Sequence, residues 1–206
     1  MSHTLGPQLW INRHPPRASS FNVVVNDHGF RVKPQGGLWT STYSDETGSG
    51  WVEWCLAEDF RVPQNFRWHG WLLTPPWDVR VYEIDSHEDL LRLAESEFGM
   101  PPGAGYFPAF GGCGIDFEKM SQSYDAIHLT EDGQWATRLS HPHTLYGWDC
   151  ESTLWLNYPW AWSEIHEVHG TWGQPNGAVH PRRTLLARPA GPRALLRLSP
   201  EQKAHG

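Results

Sequence analysis

Strand-like runs come at irregular intervals along this chain, and no glycine-rich phosphate turn follows any of them. That combination argues against a doubly wound parallel sheet, which needs strands and crossover helices in regular alternation. The β-branched or aromatic runs at residues 9–12, 21–25 and 38–42 precede any helical pattern. At residues 51–58, Trp51, Trp54, Cys55 and Glu58 fall at i, i+3, i+4 and i+7, one face of a helix. Two strands are expected at 68–73 and 79–84, broken by Thr74-Pro75-Pro76. Residues 86–99 are the clearest helix, with Ser86 as N-cap, Asp89 completing a shortened capping box and Gly99 as the stop. Beyond it, 100–114 read as a Gly- and Pro-rich loop, 115–124 as a helix, 125–130 as a strand, 131–135 as a turn and 146–156 as another strand. This order predicts an α+β domain over 1–157 with a mixed, mainly antiparallel sheet and peripheral helices. Residues 158–206 read as an irregular Pro-, His- and Trp-containing extension.

Aromatic side chains must build much of the core. Only 39% of the 206 residues are hydrophobic, but 13 are Trp, and each large ring buries more area than an aliphatic side chain. The net charge of −7 disfavours broad non-specific binding to duplex nucleic acid, which calls for a basic face. Cys55, Cys113 and Cys150 are odd in number, widely spaced and free of any CxxC, so neither a disulfide framework nor a zinc ribbon is expected. No apolar signal-peptide region opens the sequence and no run has the length of a membrane span. A cytoplasmic protein with no membrane partner is the expectation.

Three short stretches could carry chemistry. Residues 146–156, YGWDCESTLWL, set Asp149 and Glu151 among aromatic and aliphatic residues. On a strand the two acids share a face with Thr153. That face is either solvated, the commoner arrangement, or it holds a carboxylate in a cleft where it can stabilise positive charge. Gly36-Gly37-Leu38-Trp39-Thr40-Ser41 is either a turn entering a strand or a close backbone approach to a ligand. Arg13-His14 is either a surface pair ahead of Pro15-Pro16 or a donor for ribose or phosphate.

Taken in order, these stretches resemble the ADP-ribosyltransferase family over roughly residues 9–157. In that family an Arg or His from the first strand, a Tyr or a Ser/Thr-rich second strand and a Glu from a later strand line an NAD cleft. Thr40-Ser41-Thr42 looks like the Ser-Thr-Ser pattern of one branch. Trp39 stands where the other branch has Tyr, and Asp149-Cys150-Glu151 stands where Glu-x-Glu or Gln-x-Glu is usual. The resemblance implies a split sheet and an NAD-dependent transferase, or an NAD glycohydrolase. Glu151 would stabilise an oxocarbenium-like transition state, and Asp149 would assist the acceptor. Arg13 or His14 would bind the adenosine ribose or the pyrophosphate. Gly37, Trp39, Thr40, Ser41 and Tyr43 would line the NAD site, with Trp39 or Tyr43 stacking on nicotinamide. The acceptor stays open: protein, nucleic acid, small molecule or water.

Other readings compete with this one. Trp148, Trp155, Trp160, Trp162 and Trp172 could form a sugar-stacking surface, as in a non-catalytic binding module or a phage- or virion-associated structural protein. Core burial is the plainer use for them. His141-x-His143 and His166-x-x-His169 are possible chelating pairs, the second on one face only of a helix. Neither completes a ligand set, so no metal site is assigned. Cys113 sits in a Gly-rich loop without an evident base, which favours a packing role over a nucleophilic one.

Overall fold

The computed structural model describes residues 5–27, 33–60, 67–100, 112–158, 162, 164–171 and 184–186. The loop expected at 100–114, Trp160, Trp172 and most of the region beyond 171 lie wholly or partly outside them.

The chain forms an α+β structure around one mixed sheet. Its strands are β1 (Gln8–Trp10), β2 (Leu38–Thr42), β3 (Arg67–Thr74), β4 (Val81–Ile84), β5 (Ala126–Leu129), β6 (Ser152–Trp155), β7 (Glu164–Thr171) and β8 (Thr184–Leu186). They lie in the order β4-β5-β6-β2-β1-β3-β7-β8. The β4–β5 pair is parallel. Every other pairing described is antiparallel. The helices are α1 (Gly50–Ala57), α2 (His87–Ala94), α3 (Phe117–Met120) and α4 (Glu131–Thr137).

Strand β2 changes partner half-way along. Leu38, Trp39 and Thr40 pair with Trp155, Leu154 and Thr153 of β6. Ser41 and Thr42 pair with Leu9 and Gln8 of β1. The β2–β6 ladder therefore ends beside Ser41, and the sheet opens there.

Local chemistry explains most elements. Ser86 caps α2 by accepting from the Asp89 amide at 3.3 Å while its hydroxyl donates to the Asp89 carboxylate at 2.7 Å. Leu90 and Leu93 then fall on the buried face. Helix α2 ends at Ala94, five residues short of the Gly99 stop, and Gly99 instead bridges to Ile115.

Four expectations need correction. Residues 21–25 form no strand; they make a single bridge, Val25 to Gln35, and Val23 and Val25 are exposed. Residues 131–135 are not a turn but part of α4, capped by Thr130, which accepts from the Gly133 amide. Gly133 sits there because a Cβ would meet the Ile84 carbonyl at 2.0 Å. The strand expected over 146–156 is only Ser152–Trp155, so Asp149, Cys150 and Glu151 precede it in a loop and do not alternate as strand residues. The region after 157 is not wholly irregular, because β7 pairs with β3 through eight consecutive residue pairs.

The core is aromatic-rich. One cluster joins Ile84, Leu90, Leu93, Ile127, Leu129, Trp148 and Leu154 under α2. A second holds Trp71, Leu73, Trp155 and Trp162. A third packs Leu9, Tyr43, Cys55, Trp68 and Val168 beneath α1. Trp148, Trp155 and Trp162 are buried, so these late tryptophans are core and not a sugar-stacking surface. Burying a large apolar side chain stabilises by about 1.5–3 kcal/mol.

Candidate functional site

Glu151 holds the position at the end of the β2–β6 ladder. Continuing the register of that ladder pairs residue 151 with Thr42, and the Glu151 carboxylate accepts the Thr42 amide at 2.9 and 3.2 Å. The Thr42 hydroxyl donates to Oε1 at 2.8 Å and the Ser41 hydroxyl to Oε2 at 2.7 Å. Ser41 and Thr42 are consecutive on a strand and project to opposite faces. The carboxylate is thus held from both sides, near the plane of the sheet, where the sheet opens. His128 Nδ1 of β5 stands 3.5 Å from Oε1 and 3.0 Å from the Thr153 hydroxyl.

Ser41 also belongs to a second set of bonds. Its oxygen accepts from the Ser49 hydroxyl at 3.0 Å and the Trp51 amide at 3.3 Å. Ser49 is the N-cap residue of α1, so the start of that helix and the carboxylate are linked through one hydroxyl. The Glu151 side chain is only 14% exposed. Burial raises its pKa above the ordinary glutamate value, and the hydrogen bonds from Ser41 and Thr42 act in the opposite direction.

Beside this carboxylate lies a cleft of about 170 Å³. Trp39, Ser41 and Trp51 form part of its wall, with Leu9, Lys33 and Asp149 among the others. Trp39 packs edge-on against Trp148 at 4.7 Å, which fixes its ring. Lys33 Nζ stands 5.3 Å from the Trp39 ring centre and 3.0 Å from the Asp149 carboxylate. The cleft is therefore lined by three tryptophans, Trp10, Trp39 and Trp51, a lysine, an aspartate and the hydroxyl-bearing Thr40, Ser41 and Ser152.

The expected site residues divide on this geometry. Trp39, Ser41 and Asp149 line the cleft, and Glu151 lies directly behind Ser41. Thr40 also borders the cleft, but it is buried and its hydroxyl is engaged within the sheet, donating to Gln8 at 2.7 Å and accepting from the Trp155 indole at 2.9 Å. Tyr43 is buried in the core beneath α1 and is not placed to stack on a ligand. Gly37 has φ +70°, and a Cβ there would meet Leu154 Cδ1 at 2.5 Å, so packing against β6 accounts for the glycine. Arg13 and His14 lie beyond β1 in exposed chain and are not among the described walls of the cleft. Cys113 and Cys150 are held as neutral thiols, because burial pushes their pKa values up to about 11 and about 12.

Lys33, Trp51 and His128 were not singled out from the sequence. Trp51 read only as one residue of a helical face. Lys33 is 116 positions from Asp149, and no local pattern joins them. Among the described residues, no helix is long and apolar enough to cross a membrane.

No protein-family model, curated protein or solved structure matches this chain.

Proposed function

We propose that the chain is an ADP-ribosyltransferase-like enzyme that cleaves NAD at the nicotinamide glycosidic bond and passes ADP-ribose to an acceptor or to water. One observation carries this reading. Ser41, from the Ser/Thr-rich strand, donates to Glu151 at 2.7 Å, and Trp39 of the same strand lines the adjoining cleft. The second and third segments of the resemblance lie on or beside neighbouring strands, β2 and β6, while Arg13 and His14 follow β1 away from the cleft.

The chemistry follows from the carboxylate. It offers about four acceptor positions. Ser41 and the amide and hydroxyl of Thr42 already place four hydrogen bonds on it, so a ribose hydroxyl takes the place of one of these, the Ser41 hydroxyl at the cleft wall being the nearest. A carboxylate fixed before substrate arrives costs no reorganisation when positive charge develops on the ribose. The bond from ribose C1 to the nicotinamide nitrogen breaks, and its electron pair leaves with nicotinamide. The acceptor oxygen or nitrogen bonds to C1 and loses a proton. Trp39 and Trp51 supply ring faces for the nicotinamide or adenine, and Lys33 supplies a cation for the pyrophosphate. Asp149, paired with Lys33, is placed to orient the acceptor.

Incubation with NAD tests the reading, with free nicotinamide measured by chromatography. Release above the rate in buffer is the expected result. A non-catalytic binding protein is the second reading, favoured by the exposed aromatic and aliphatic side chains of Trp77, Trp135, Leu139 and Tyr146. It requires no nicotinamide release and no quenching of Trp fluorescence by NAD.

A further inference from the structure

The sheet carries a second polar cluster on the face away from the cleft. Strand β3 pairs with β7 so that His69 stands opposite His169 and Trp71 opposite Glu167. Alternation puts His69, Glu167 and His169 on one face. Leu72 lies on the other, opposite Leu9, which shares the cleft face with Ser41. The same alternation corrects the pairing of His166 with His169. Both are on a strand, three residues apart, and point to opposite faces.

Glu167 Oε1 is 3.0 Å from His69 Nε2 and 3.4 Å from His169 Nε2. The two rings stack at 4.4 Å, within 10° of parallel. Both Nε2 atoms are shut off from solvent, and Glu167 Oε1 is the partner described for each. Two imidazole nitrogens and one carboxylate oxygen therefore lie within 4.8 Å of one another. The two separations from Glu167, 3.0 and 3.4 Å, are close to the edges of about 3.3 Å that a tetrahedron has when its bonds are about 2.0–2.1 Å, the lengths typical of zinc with His and carboxylate.

We infer that His69, Glu167 and His169 bind a divalent transition-metal ion of the zinc class, joining β3 to β7. The donor set suits zinc and not calcium or magnesium, which take oxygen ligands. The site is separate from the cleft, so its failure would leave the NAD reading untouched.

The test is calorimetric titration of the full chain, stripped with chelator, with zinc chloride alone. One saturable site is expected. His69→Gln and His169→Gln should weaken it by more than the about 10–100-fold lost when only a supporting partner of a ligand is removed. His166→Gln should leave it unchanged. Should a histidine variant fail to fold by circular dichroism, Glu167→Gln carries the same expectation. Absence of saturable zinc binding, or equal affinity in folded variants, would overturn the inference.

Discussion

Glu151 and Thr42 are joined by a side chain where two strands would ordinarily be joined by main chain. The Thr42 amide reaches the Glu151 carboxylate at 2.9 Å, at the point where β2 leaves β6 and turns to β1. The acid thus does two jobs. It closes the end of a ladder, and it stands at the opening of the sheet beside the cleft.

The closing role has a stability consequence. Glu151→Gln keeps one oxygen for the Thr42 amide but sets an NH2 group against a hydroxyl donor. A loss of about 1–2 kcal/mol is expected. In a chain of this length each kcal/mol lowers Tm by about 2–4 °C. Thermal unfolding checks this. Glu151→Ala, which orphans the Thr42 amide and the Ser41 hydroxyl together, should cost more than Glu151→Gln.

The pKa of Glu151 gives a pH dependence of defined sign. Its folded value is raised by burial, so the native state holds the proton more tightly than the unfolded chain. Stability from this group is fully present below the unfolded glutamate pKa of about 4.3 and is lost as pH rises through the folded value. NAD cleavage needs the ionised form and should rise with pH over a limb displaced above the ordinary glutamate range. The difference in Tm between wild type and Glu151→Gln, followed from acid to neutral pH, reports the first effect. The pH profile of kcat reports the second. A limb at or below the ordinary glutamate value would remove burial as its cause.

Lys33 should matter for binding and little for folding. Its pair with Asp149 is 36% exposed on each side, and such pairs contribute at most about 1 kcal/mol. Lys33→Ala is expected to leave Tm nearly unchanged and to raise KM for NAD with kcat retained, the pattern for lost uniform binding. Steady-state kinetics at two salt concentrations would check it, since an exposed cation acts less at high salt.

Gly37→Ala tests the packing account of the glycine pair. The substitution meets both a positive φ and a 2.5 Å approach to Leu154 Cδ1. A cost of about 1–3 kcal/mol in denaturant unfolding is expected. An unchanged midpoint would return Gly37 to the candidates for ligand contact.

How much of this was legible depended on whether the cause was local. Helix α2 could be read because Ser86, Asp89, Leu90 and Leu93 state its cap and its buried face within eight positions. Helix α4 was missed because Gly133 weakens its helical pattern, and the reason for that glycine is the Ile84 carbonyl on another strand. Strand β7 was missed because Glu164, His166, Glu167 and His169 obscure its alternation. Their partners lie on β3, almost a hundred positions earlier. At the site, Glu151, Ser41 and Trp39 could be found from residue type and order. Lys33 and Trp51 could not, because only the fold brings them to the cleft. The clustering of His69 with His169 was hidden for the same reason.

The most direct test compares nicotinamide release from NAD by wild type and Glu151→Gln, with both proteins shown to be folded by circular dichroism. A carboxylate that stabilises charge on the ribose should make the wild type active. The variant should be slower by at least about a hundredfold, the scale seen when one preorganised electrostatic group is lost. Equal rates in the two proteins, or no release by either, would contradict the assignment of Glu151 to catalysis and leave it as the residue that closes the β2–β6 ladder.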